Sequence, residues 1–143
     1  MLIGLSPLLT PDLLHALASM GHGETIVFVD ANYPSTRGRR CIPLHGVGLQ
    51  PILRSVLRLL PLDGFIPNPA AVMAAADGSQ QPALADIDVV LAEVGAKPAE
   101  RLERLAFYAA AEQAYAIVAT GERRLYGNVI LTKGVVPPPE SAP

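Results

Sequence analysis

The chain has 143 residues, of which half are hydrophobic and 17% charged, which fits one folded domain with a substantial core and excludes disorder. A formal net charge of −2 with dispersed basic residues leaves no footprint for nucleic acid, and the one tight basic group, "RGRR" at Arg37–Arg40, reads as a solvated loop. A single cysteine, Cys41, excludes an internal disulfide or a cysteine metal cluster and fits a reducing cytoplasm, while so apolar a chain with only 5% aromatics points to surface buried between subunits.

The opening "MLIGLSPLL" lacks a basic stretch and is broken by Pro7, so it does not read as a signal peptide, and no apolar run reaches membrane-spanning length. Thr10-Pro11-Asp12 combines a capping hydroxyl, a proline in the first helical position and an acid in the first turn. The helix it starts runs through "DLLHALASM" and stops at Gly21. "TIVFV" (Thr25–Val29) is continuously apolar and β-branched, the pattern of a strand buried on both faces. A loop follows, and "CIPL" reads as a short strand that Pro43 confines to a sheet edge. Helical spacing covers "LQPILRSVLRLLPL" (49–62), with Arg54 and Arg58 on its polar side. "NPAAVMAAADG" is ambiguous between helix and strand. "ADIDVVLAEVG" (85–95) and "PAERLERLAFYAAAEQA" (98–114) read as helices, and "YAIVAT" and "NVILTKGV" as two strands joined by "GERRLYG". The domain spans residues 1–136, and residues 137–143 form a flexible proline-rich tail.

Few residues carry chemistry, and each has a plain reading beside a functional one. His22 sits between two glycines at a helix-to-strand junction, as a polar turn residue or as an imidazole presented on a loop. Asp30 follows the first strand, either starting a turn or occupying the carboxyl end where α/β sheets place their sites. Tyr126 and Asn128 flank Gly127; in extended backbone they project to one side, and in a tight hairpin they simply form the turn. Arg104 lies on a helix just before "LAFY", where an exposed arginine is the default. His15, His22 and His45 lack metal-ligand spacing, "HGVGL" lacks the context of a dinucleotide loop, and neither Lys97 nor Lys133 sits in an apolar run suited to Schiff-base chemistry. Neither a cofactor nor a metal is expected. The remaining chemistry is proton transfer by a histidine, with polar groups to hold a hydroxylated ligand.

"MGHGETIVFVDANYP", the "AFY" and "AIVATGE" stretches and "LYGNVILTKGV" occur in that order and resemble the family of D-ribose pyranase and L-fucose mutarotase, the RbsD/FucU family, over nearly the whole chain. "DAN.P", "AFY" and "YGN" look more like the fucose-mutarotase branch, because the pyranase branch tends to carry a second histidine where this chain has Arg104. The resemblance implies a cofactor-independent cytoplasmic isomerase that interconverts the anomers of a free aldose, most closely L-fucose. It makes His22 the catalytic acid/base, with Tyr126 sharing the proton transfer, and Asp30, Arg104, Tyr126 and Asn128 the sugar-binding groups. It also implies an α/β fold with a mixed sheet sandwiched between helices, "AAVMAA" being a strand, and a ring-shaped decamer of two pentamers. The alternatives are a ribose pyranase and a non-catalytic sugar-binding or transport-accessory oligomer. An imidazole suits the reaction because its ordinary pKa of about 6.5 lets it donate and accept near neutrality. Geometry sets one condition. Along an extended chain rising about 3.3 Å per residue, His22 and Asp30 stand roughly 25 Å apart. Either the glycine loop folds back along the strand, or His22 serves one site and Asp30 an adjacent one across a subunit boundary; in both cases the pocket is expected to use residues from more than one subunit.

Overall fold

Alternate residues of a strand face opposite sides of its sheet, and along Thr25–Val29 both sides are apolar, so the strand must be covered twice. The computed structural model describes residues 1–140; the last three residues of the proline-rich tail lie outside the described residues. Six strands form one sheet: Thr25–Val29 (β1), Cys41–Leu44 (β2), Ala70–Met73 (β3), Glu100–Leu102 (β4), Ala116–Thr120 (β5) and Val129–Thr132 (β6). Their order is β2-β5-β1-β6-β3-β4. β6 runs antiparallel between β1 and β3, and the other pairs are parallel, so the sheet is mixed.

Four helices cover it: Pro11–Ser19 (α1), Leu49–Leu57 (α2), Pro82–Glu93 (α3) and Arg104–Glu112 (α4). Ile26, Phe28, Val118 and Leu131 face α1, α2 and α3 through Leu13, Ile52 and Leu84. Val27, Val29, Ile117 and Ile130 face α4 through Phe107 and Ala111. Phe28 and Phe107 are fully buried on opposite sides, each contributing about 1.5–3 kcal/mol by leaving water. The result is a single-domain α/β fold with helices on both faces of the sheet.

α1 begins as expected, with Thr10 Oγ1 accepting the Leu13 N–H at 3.3 Å. β1, the edge strand β2, β5 and β6 also occur where the sequence placed them. Three spans differ. The helix expected over 49–62 stops at Leu57, and Leu62 instead bridges to Lys133 beyond β6. α3 starts at Pro82, three residues before the expected Ala85. The helix expected over 98–114 is divided. Glu100–Leu102 pairs with β3, and Glu103 then caps α4 by accepting the N–H groups of Leu105 and Ala106. The open edge of β3 offers backbone partners that outweigh the helix propensity of "AERLER".

Candidate active site

β1 and β5 run parallel and end side by side, and β6 starts beside them, so three strand termini meet at one edge. Thr120 Oγ1 stitches them by donating to the Val29 carbonyl at 2.7 Å. Asp30, next along β1, is buried and bound reciprocally to Asn128: its N–H donates to Asn128 Oδ1 at 2.9 Å, and Asn128 Nδ2 donates to Asp30 Oδ2 at 3.2 Å. The Asn32 N–H donates to Asp30 Oδ1 at 2.9 Å. Burial nevertheless pushes the Asp30 carboxyl above its ordinary range, the amide contacts only partly opposing it.

The "YGN" turn is tightly built. Tyr126 adopts φ +63°, a left-handed conformation unusual for an aromatic residue. The Asn128 N–H donates back to the Tyr126 carbonyl at 2.8 Å. Gly127 lies so close to Glu122 that an added Cβ would stand 2.7 Å from its Cγ. Glu122 is fixed in turn by Arg124, which donates to both carboxylate oxygens at 2.9 and 3.0 Å and reaches Asp86 on α3 at 2.7 Å. The Arg124 guanidinium holds the Glu122 carboxyl below the usual range.

Asp30, Tyr126 and Asn128 thus converge, and they line a cavity of about 180 Å³ with Asn32, Tyr33 and Tyr108, walled by Met73 and Leu125. Tyr33 stands edge-on to Phe107 at 6.2 Å and lies 5.4 Å from the Tyr108 ring. Burial pushes its phenol up to about 12, so it remains a protonated donor at neutral pH. Tyr33 and Tyr108 were not singled out from the sequence. They come from a loop and a helix face, and only the "AFY" motif carried a hint of the second. The cavity is smaller than the roughly 300–1,000 Å³ of complete ligand pockets. Its walls supply hydroxyls, an amide and a carboxylate, a set suited to a polyhydroxylated ligand.

Arg104 is exposed at the start of α4, one helical turn from Tyr108, and is not among the lining residues. His22 lies at the other end of β1. The glycine loop does not fold back: the Gly23 N–H donates to the Lys133 carbonyl at 2.8 Å and the Lys133 N–H to the Glu24 carbonyl at 2.9 Å, continuing the β1·β6 ladder outward. Gly23, at φ +84°, supplies the left-handed residue this course requires. His22 Nε2 lies 3.1 Å from Asp63 Oδ2. The chain therefore gathers Asp30, Tyr126 and Asn128 and keeps His22 away from them. No group of three histidine, cysteine or acidic residues placed to hold a metal occurs among the described residues. No helix there is long and apolar enough to cross a membrane.

The model of the RbsD / FucU transport protein family matches residues 3–136. A human protein named fucose mutarotase is 43% identical over 143 residues, covering 93% of this chain and 93% of its own. The crystal structure of the fucose mutarotase from Streptococcus pneumoniae in complex with L-fucose matches with a TM-score of 0.90 at 38% identity, covering 95% of this chain and 100% of that one. The structure of Bacillus subtilis RbsD complexed with D-ribose matches with a TM-score of 0.77 at 24% identity, covering 95% and 99%, a likeness of fold alone.

Proposed function

The chain belongs to the RbsD/FucU family, and on that premise we propose that it interconverts the anomers of a free aldose, L-fucose foremost, by acid/base ring opening and reclosure. The observation that carries this reading is its likeness, over nearly its whole length, to a protein named fucose mutarotase.

Anomer exchange moves two protons. His22 takes the proton of the anomeric hydroxyl while Tyr126 gives one to the ring oxygen, and the bond between the anomeric carbon and the ring oxygen breaks. The anomeric carbon becomes an aldehyde. After rotation, the hydroxyl released at the ring oxygen attacks the other carbonyl face; Tyr126 recovers its proton and His22 returns the other to the new anomeric oxygen. Asp30, Arg104 and Asn128 hold the remaining hydroxyls, and such networks select sugars because a buried polar group left unpaired is costly.

His22 and Asp30 stand at opposite ends of a five-residue strand, roughly 17 Å long at about 3.3 Å per residue. A site that uses both joins His22 of one subunit to the Asp30 cluster of another, in the ring-shaped decamer expected for the family. The exposed thiol of Cys41 fits a cytoplasmic setting.

Exchange NMR on the α and β resonances of L-fucose tests this. The protein is expected to accelerate exchange, and His22→Ala to lose roughly 10²–10⁴-fold in rate while still binding fucose. Binding without acceleration by the unmutated protein would make it a sugar binder. Acceleration of ribose ring forms alone would make it a pyranase.

A further inference from the structure

A tyrosine in left-handed backbone stands against its own steric preference, so its surroundings must fix it there. Tyr126, at φ +63° on the cavity wall, is such a residue. Beyond Gly127 the turn is secured by Asn128, which is tied to Asp30 through two hydrogen bonds. The approach from β5 is held differently. Arg123, Arg124 and Leu125 are all exposed, so packing does little to order them. We propose that Arg124 is the positioning residue of Tyr126: by locking Glu122 against Gly127 and tying it to α3, it holds Tyr126 where its phenol gives a proton to the ring oxygen. The proposal rests on Tyr126 sharing the proton transfer in the reading above.

The hold runs through one guanidinium and one carboxylate. Arg124 folds back on Glu122 with three bonds. Its N–H and its Nε donate to Oε1 at 3.0 and 2.9 Å, and Nη2 donates to Oε2 at 3.0 Å. The paired Nε and Nη2 bonds from a planar fork fix direction as well as distance. Nη1 donates to Asp86 Oδ2 at 2.7 Å. Asp86 belongs to α3, whose Leu84 and Ile87 are buried in the core, so the turn is fastened to a packed helix. Glu122 is fixed from the sheet as well. It is buried, its N–H donates to Thr120 Oγ1 at 3.2 Å, and its carbonyl accepts the Ala31 N–H at 2.8 Å. With its carboxylate gripped, the Glu122 side chain fills the space against Gly127, and the Arg124 carbonyl closes on the same glycine. Arg124 thus meets Gly127 twice, through the side chain it clamps and through its own backbone. Tyr126 lies between the two in sequence.

The consequence is kinetic. Asp30, Arg104 and Asn128 take the sugar hydroxyls, whereas the hydrogen bonds of Arg124 go to Glu122 and Asp86. Loosening Arg124 therefore leaves binding in place and misaligns the donor for the ring oxygen. Proton transfer needs that donor within hydrogen-bond reach, and a misplacement of about 1 Å can cost on the order of 10²-fold in rate.

The test is exchange NMR on the α and β resonances of L-fucose with the full-length protein, well below the melting temperature of each variant. It is read beside the backbone shifts of Tyr126 in protein labelled with ¹³C and ¹⁵N. Arg124→Ala is expected to lose roughly tenfold to hundredfold in kcat, with KM unchanged, and to move the Tyr126 shifts away from those of left-handed backbone. Arg124→Lys keeps the charge but not the fork; it is expected to lose kcat in the same way with less disturbance of folding. A wild-type kcat in either variant would overturn the proposal, even beside a lowered melting temperature. So would a fall in kcat with the Tyr126 shifts unmoved, since Arg124 would then act otherwise than by positioning. A fully active Tyr126→Phe would instead remove Tyr126 from the proton transfer, and the role of Arg124 with it.

Discussion

Gly127 has no room for a side chain, since an added Cβ would lie 2.7 Å from Glu122 Cγ and 3.5 Å from both the Arg124 carbonyl and Asp30 Cβ. Glu122 cannot simply swing aside, because Arg124 grips both its carboxylate oxygens and its own carbonyl accepts the Ala31 N–H beside Asp30. Gly127→Ala is therefore expected to cost about 1–3 kcal/mol, the usual range for overpacking, and to displace Tyr126 and Asn128 from the cavity. Thermal melting should record the first effect, and a raised KM for fucose anomer exchange the second. Unchanged melting and KM would mean that the turn is softer than its contacts imply. At this scale the sequence pointed to Asp30, Tyr126 and Asn128, which the fold brings to one cavity, because glycines and strand ends mark where a chain can present a side chain. It did not point to Tyr33, which lies in a loop with no periodicity.

Among the elements, those with a strong apolar period were legible, and those made by pairing were not. β1 and β5 are buried along nearly their whole length, and their composition says so. β3 is alanine-rich, and only the family resemblance resolved it as a strand. β4 was missed because three residues paired to an edge leave no periodic trace. What holds β4 is Asp88 on α3, which accepts the Ala99 N–H at 3.0 Å and two guanidinium bonds from Arg101 at 3.1 and 2.7 Å. Burial alone would raise the Asp88 carboxyl, but Arg101 and the Ala99 N–H outweigh it and keep it below the ordinary value. An unfolded aspartate titrates at about 3.9, so the stabilisation is fully present above that pH and fades as pH falls through the lower folded value. Asp88→Asn is expected to lose roughly 1–2 kcal/mol at neutral pH, as for a charge-assisted hydrogen bond that is partly exposed. The difference from wild type should shrink as denaturation is followed into acid below about pH 4. A deficit that persisted undiminished at low pH would assign the effect to packing, not to charge.

At the scale of the whole molecule, the fold places His22 and Asp30 so that neither can complete the other's site. The ladder of β1 with β6 continues outward through Glu24, and the cavity beside Asp30 encloses only about 180 Å³. The sequence already contained the conflict, as a distance along a strand, but not its resolution, because the loop could still have folded back. A complementation experiment decides whether subunits share a site. His22→Ala and Asp30→Ala are each expected to be inactive when purified alone, because every site lacks one of the two groups. Unfolding the two variants together and refolding them at equal concentration mixes the subunits. A site that takes His22 from one subunit and Asp30 from its neighbour is then intact when the first carries only the Asp30 change and the second only the His22 change. For random mixing in a symmetric assembly about a quarter of the sites satisfy this, so about a quarter of wild-type activity should return. A site built within one subunit can never be repaired this way, since every chain carries one defect or the other. Mixed oligomers of normal size with no recovered anomer exchange would exclude a shared site containing both residues.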